Sequence, residues 1–229
     1  YTVSATVTGA PANGIRIRLY AINPLTNMPV EPVLFLGYVD LTDEVTAQAS
    51  TLGVLLKLGT TTIADYSISL TRATSSFSLS ADGFIRNADA TGRVDFSLQN
   101  TINLQTFTVS IVHNLTGSDG TAIRVELSGN DVSATVLFRV SHGGNSIELN
   151  GTFSSTATSE TVDLDVKYNG TVVATITGDP DSPTITGANG HTVTAQELVA
   201  LVTIFEKAGD FIGNFSEAVF RPADIVFRP

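Results

Sequence analysis

The chain is 229 residues long, carries a formal net charge of −10 and contains no cysteine. The missing cysteines exclude disulfides, thiolate metal sites and cysteine nucleophiles. Its twelve basic residues are scattered, with only Arg16 and Arg18 close and similarly oriented, so no nucleic-acid partner is expected.

Val, Ile and Thr are abundant and Lys is thin, which favours strands. Val3, Ala5 and Val7 begin a first strand, broken by the Gly9–Gly14 turn. Ile15, Ile17 and Leu19 alternate with Arg16, Arg18 and Tyr20 in a second. Ala21 to Pro32 holds Pro24, Asn27, Pro29 and Pro32 and reads as a loop. The apolar run Val33 to Val39 reads as a buried strand. Leu41 to Leu58 admits two readings. Thr42-Asp43-Glu44 would cap a helix with Val45, Ala49 and Leu52 inward, or Val54 to Leu58 would be a strand; mostly strand is expected.

Alternation returns at Ile63 to Leu70 and Phe77 to Ser80. Ala81-Asp82-Gly83 reads as a turn, Phe84-Ile85 as a short strand and Asn87 to Gly92 as another turn. From Arg93 to Thr177 the period-two pattern is nearly strict. Val94, Phe96 and Leu98 share a face, as do Phe107, Val109 and Ile111, and a loop is expected from Asn114 to Gly120. Strands around Ile123–Leu127, Val132–Val140 and Val162–Val166 follow, joined by Gly129-Asn130-Asp131, His142 to Asn145 and Asn169-Gly170. Such hairpin-sized links make successive strands antiparallel neighbours. The outward positions carry Arg124, Glu126, Arg139, Glu148, Asp163, Asp165 and Lys167, which is the chemistry of a solvated sheet face.

After a loop from Gly178 to Gly190, Thr194-Ala195-Gln196-Glu197 is a capping box that opens a helix. Leu198, Leu201, Val202, Phe205, Ile212, Phe215 and Val219 form its apolar face. A kink or break is expected near Gly209, an end at Arg221-Pro222, and a last strand or strap at Ile225 to Phe227. No apolar run reaches the ~18 residues needed to span a bilayer as a helix.

The chemistry-bearing residues give no strong motif. His113, His142 and His191 share no metal-ligand spacing. Asp179-Pro180-Asp181 is the best calcium candidate and Ser118-Asp119-Gly120 a weaker one, since hard cations take loop oxygens. There is no nucleophile elbow and no phosphate-cradling glycine loop. Asp163 and Asp165 would suit a glycosidase only in a groove. Sequons at Asn114, Asn150, Asn169 and Asn214 occur at about the chance frequency for so much Ser and Thr.

The expectation is therefore one mainly β domain over 1–229, with N-terminal strands in 1–90 and a regular meander plus helix in 91–229. Its sheet is a large antiparallel meander (curved, sandwiched or a half-barrel) with one amphipathic helix packed on it. A strongly curved sheet would leave a cavity for a lipid-like ligand beneath that helix. This layout is similar to half-barrel lipoprotein carriers of bacterial envelopes, although no motif residue ties the chain to them. The Ser/Thr-rich, Lys-poor, cysteine-free composition and the start at Tyr1 read as an exported, processed or trimmed product. The function expected is non-enzymatic and needs no cofactor: an extracytoplasmic structural or accessory subunit that binds other protein subunits. Two alternatives are a carrier of an apolar ligand held by the helix face, and an adhesin or carbohydrate-binding module using Tyr20, Tyr38 and Tyr66.

Overall fold

A computed structural model describes residues 9–46 and 49–226, with side chains through 222. The strand expected at Val3 to Val7, and Phe227, lie outside the described residues. The fold is mainly β, thirteen antiparallel strands followed by one helix.

The strands are β1 (Gly14–Tyr20), β2 (Phe35–Val45), β3 (Ala49–Leu58), β4 (Thr61–Arg72), β5 (Ser76–Arg86), β6 (Arg93–Asn103) and β7 (Thr108–Gly117). They continue as β8 (Ala122–Gly129), β9 (Ser133–His142), β10 (Asn145–Ser155), β11 (Glu160–Tyr168), β12 (Thr171–Gly178) and β13 (Thr184–Gly187). Spatial order equals chain order, as short hairpin links demand. The first and last strands do not pair with each other, and the sheet is open and uncurled. It is neither the sandwich nor the half-barrel set out as alternatives, because nothing brings its two edges together.

Several local expectations are corrected. The regular meander is not confined to 93–177; the same sheet runs from β1. Ala81-Asp82-Gly83 is not a turn: β5 runs straight through, with Ala81 buried and paired to Leu98. Asn114 belongs to β7, paired with Ser97, so that loop begins only after Gly117. The Leu41 to Leu58 stretch is strand on both sides of residues 47–48, as mostly expected, and its described residues hold no helix. Phe107 does not open a strand; it sits in the β6–β7 turn at φ 51°, 77% exposed. Val33 to Leu36 is exposed rather than buried, because it lies in and beside the long β1–β2 connection at the sheet margin.

Strand alternation sorts the sheet into two faces. One cross-sheet row reads Ile15, Leu41, Val54, Tyr66, Gly83, Phe96, Leu115, Ile123, Val140 and Ile147. The adjacent row on that face reads Leu52, Ile68, Ala81, Leu98, His113, Val125, Phe138, Leu149, Val166 and Ala174. The opposite face carries Thr42, Ser67, Asp82, Ser97, Asn114, Arg124, Arg139, Glu148 and Lys167. Lys167 meets Glu148 across the ladder at 3.5 Å, a cross-strand ion pair of the expected kind.

Helix α1 (Ala195–Val226) lies on the apolar face. It is continuous through Gly209 and past Pro222, so neither a break at Gly209 nor the expected stop at Arg221-Pro222 is present. Ile225 and Val226 are helical rather than a strand.

Candidate functional site

The apolar face and its helix are the one place where the sequence-derived candidate residues converge. The capping box forms as expected: Thr194 Oγ1 accepts from the Glu197 amide at 3.2 Å, and Glu197 Oε2 accepts from the Thr194 amide at 2.8 Å. The Thr194 amide and hydroxyl, both donating to Glu197 Oε2, hold the Glu197 carboxyl below its usual pKa, with a smaller contribution from His191. Phe205 then meets Phe138 of β9 edge-on at 5.3 Å, and Phe215 meets Phe96 of β6 edge-on at 5.2 Å.

Those two contacts fix the direction of α1. Ten residues of helix rise about 15 Å, and the three strand spacings from β9 to β6 span about 14 Å. The helix therefore crosses the strands close to perpendicular and lies along the two apolar rows. Ile212 and Val219 are buried against Leu52, Val54, Tyr66, Ile68, Phe96 and Leu98, and Phe220 packs beside them. Burial of each such side chain stabilises by about 1.5–3 kcal/mol. Phe96 continues the aromatic chain to Tyr66 at 5.6 Å. Desolvation pushes the Tyr66 phenol up to about 12.

The seven candidate residues divide into two groups. Ile212, Phe215 and Val219 are packed, and Leu201 and Phe205 are half-buried. Leu198 and Val202 are 36% and 47% exposed. The N-terminal half of the helix is thus only partly covered by the sheet.

The structure also places a polar group that periodicity alone did not find. His113 points from β7 into the apolar interface and is 7% exposed. Its Nε2 lies 2.9 Å from Asn100 Oδ1 of β6, and its Nδ1 lies 3.3 Å from Ser216 Oγ of α1. Burial lowers its pKa. Its alternation with Val109, Ile111 and Leu115 is the signal that places it on the inward face. Serine, imidazole and amide in line have the connectivity of a nucleophilic relay. Here the serine sits inside a helix–sheet contact, and no residue of the trio lines either described depression.

The other candidates do not join this site. Asp179 Oδ1 accepts from the Asp181 amide at 2.9 Å, which uses the carboxylate to shape the turn. Asp119 does the same with the Thr121 amide at 2.9 Å, and Thr121 Oγ1 lies 3.0 Å from His142 Nδ1. Among the described residues no group of three carboxylate, imidazole or thiol side chains gathers to hold a metal. Of the three tyrosines offered as sugar platforms, Tyr66 is buried, Tyr38 lies under the Arg16 guanidinium at 3.7 Å, and Tyr20 is 39% exposed.

A shallow depression of about 450 Å³ lies where Gly53 lacks a side chain, lined by Asp40, Thr42, Asp65, Ser67 and Asp82. Asp40 is already held by Arg16 through two hydrogen bonds of 2.6 and 2.5 Å. A second depression beside it is lined by Arg16, Arg18, Phe35 and Tyr38.

The exposed apolar residues have a clear distribution. Ile102 (42%), Phe107 (77%), Val109 (37%), Val132 (58%) and Phe153 (39%) follow one end of β6 to β10, beyond the helix. Ile15 and Ile17 are exposed on β1, Ile22, Leu25, Met28 and Leu34 on the connection that follows it, and Phe35 at the start of β2.

The fold defines a class by its geometry: an open all-antiparallel meander with a single helix laid across its strands. Comparison with protein-family models, with curated proteins and with solved structures finds no match for the chain.

Proposed function

We propose that the chain is a non-enzymatic structural or accessory subunit whose sheet is covered by other proteins of an assembly, outside the cytoplasm in a bacterial envelope or at a cell surface. The observation that carries this reading is the mismatch between the apolar face and its one helix. Thirteen strands extend the sheet about 60 Å, and ten-residue strands give it about 33 Å of height. A 32-residue helix is about 48 Å long and about 10–12 Å wide. One helix therefore roofs about a third of the face or less, and apolar residues stay exposed along one end of β6 to β10. An open, uncurled surface of this kind suits a protein layer better than a single enclosed molecule. The low-lysine, cysteine-free composition supports the location.

The carrier reading draws on one observation, the exposure of Leu198 and Val202 beside the half-buried Phe205. It is limited to that half of the helix, because Ile212 and Val219 are already packed on the sheet.

Site-specific photo-crosslinking in the native host separates these readings. A photoreactive phenylalanine at Ile102 or Phe153 is expected to capture one defined protein, and at Ser97, on the polar face, none. Capture of lipid alone, or equal capture from Ser97, contradicts the proposal. Saturable turnover of any substrate by the purified chain contradicts its non-enzymatic part.

A further inference from the structure

We propose that His113 makes the docking of α1 on the sheet pH-dependent, holding the helix at neutral pH and loosening it in mild acid. The geometry carries this. Among the described residues, the contact between His113 Nδ1 and Ser216 Oγ is the one side-chain hydrogen bond that joins α1 to the sheet. It sits mid-way along the packed half of the helix, between Ile212 and Val219.

In the neutral form, Nε2–H donates to Asn100 Oδ1 and Nδ1 accepts from the Ser216 hydroxyl, so both ring nitrogens are satisfied. Protonation lets the ring donate to both partners, but it places a full charge among Phe96, Leu98, Leu115 and Val125. No counter-charge faces it. On β6, Arg93 and Asp95 pair with each other, and Asp95 shares the opposite face with Ser97 by alternation. On β8, Arg124 and Glu126 likewise alternate away from Val125 and pair with each other. On α1, Lys207, Asp210, Glu217 and Arg221 are exposed. An uncompensated buried charge is relieved by opening the contact to water. Of the described elements that touch His113, α1 is the one joined to the sheet by side chains, so it can move without breaking the ladder.

The sign follows from linkage. The docked imidazole binds its proton more weakly than a free one, whose ordinary value is 6.5. Docking strength is therefore complete above that value and falls as pH drops below it. The docked-to-released ratio falls by up to about tenfold per pH unit until the docked form also protonates. Released, the helix uncovers the central apolar rows, and this holds whatever partner meets the face.

The chain has no cysteine, so spin labels can be placed uniquely at Glu206→Cys on α1 and Ser97→Cys on β6. One sharp interlabel distance is expected at pH 7.5, with a second, longer population growing between pH 6.5 and 5. His113→Gln should keep the single distance across that range. Asn100→Asp places a carboxylate beside the imidazolium and should also keep the helix docked in acid. It preserves the test should His113→Gln not fold. An unchanged distance in the parent down to pH 5 would overturn the proposal, as would the same acid response in either folded variant.

Discussion

Gly83 shows how a single residue sets the quality of the core. It faces Tyr66 across the β4–β5 ladder at φ 149°, a conformation that side chains rarely adopt. A Cβ there would lie 2.3 Å from the Asp65 carbonyl oxygen and 2.4 Å from Tyr66 Cβ. Gly83→Ala is therefore expected to destabilise by about 2–3 kcal/mol, through backbone strain and displaced Tyr66 packing. Chemical unfolding followed by circular dichroism checks it; a change within about 0.5 kcal/mol would contradict the assigned contact. The same residue misled the sequence reading. Asp-Gly is a turn signal when only local conformation is weighed, whereas here the glycine makes room for a ring on the next strand. Ala81, buried beneath the helix, carried the opposing signal.

At the scale of elements, the strands were more legible than their ends. Alternation located β6, β8, β9 and β11 because apolar and polar residues alternate along most of their length. It failed where a strand ends in residues that also favour loops: Asn114 reads as the start of a loop, yet it sits in β7 on the polar face, paired with Ser97. The helix was legible from its capping box and apolar face, but its stop was not. Pro222 is accommodated inside the helix rather than ending it. Which part of that face is packed depends on where the helix crosses the sheet, and spacing along the helix carries no such information. The packed and open halves should respond differently. Ile212→Ala is expected to cost about 2–4 kcal/mol, and Leu198→Ala less than about 1. Gly209→Ala, with nothing within 4 Å of the new methyl group, should stabilise by about 1 kcal/mol. Urea midpoints of the three variants check the order; an equal loss at 198 and 212 would contradict the crossing geometry.

On the scale of the whole molecule, thirteen sequential strands make a sheet too broad for one helix to cover. The class of sheet followed from hairpin-length links between alternating segments. Its failure to curl did not, because curvature depends on twist and on what packs against each face. That openness turns the helix from a lid over a chamber into a bar across a wide surface. It also leaves the apolar strip along one end of β6 to β10 exposed. The account therefore depends first on where α1 lies. Methyl-resolved NOE spectroscopy on the purified chain at pH 7.5 tests this directly. Contacts from Ile212 and Val219 methyl groups to Phe96 and Leu98 are predicted, together with none from the helix to Val132 or Phe153. Absence of the first set, or helix contacts reaching the second, would contradict the arrangement on which both the proposed binding surface and the proposed pH-sensitive docking rest.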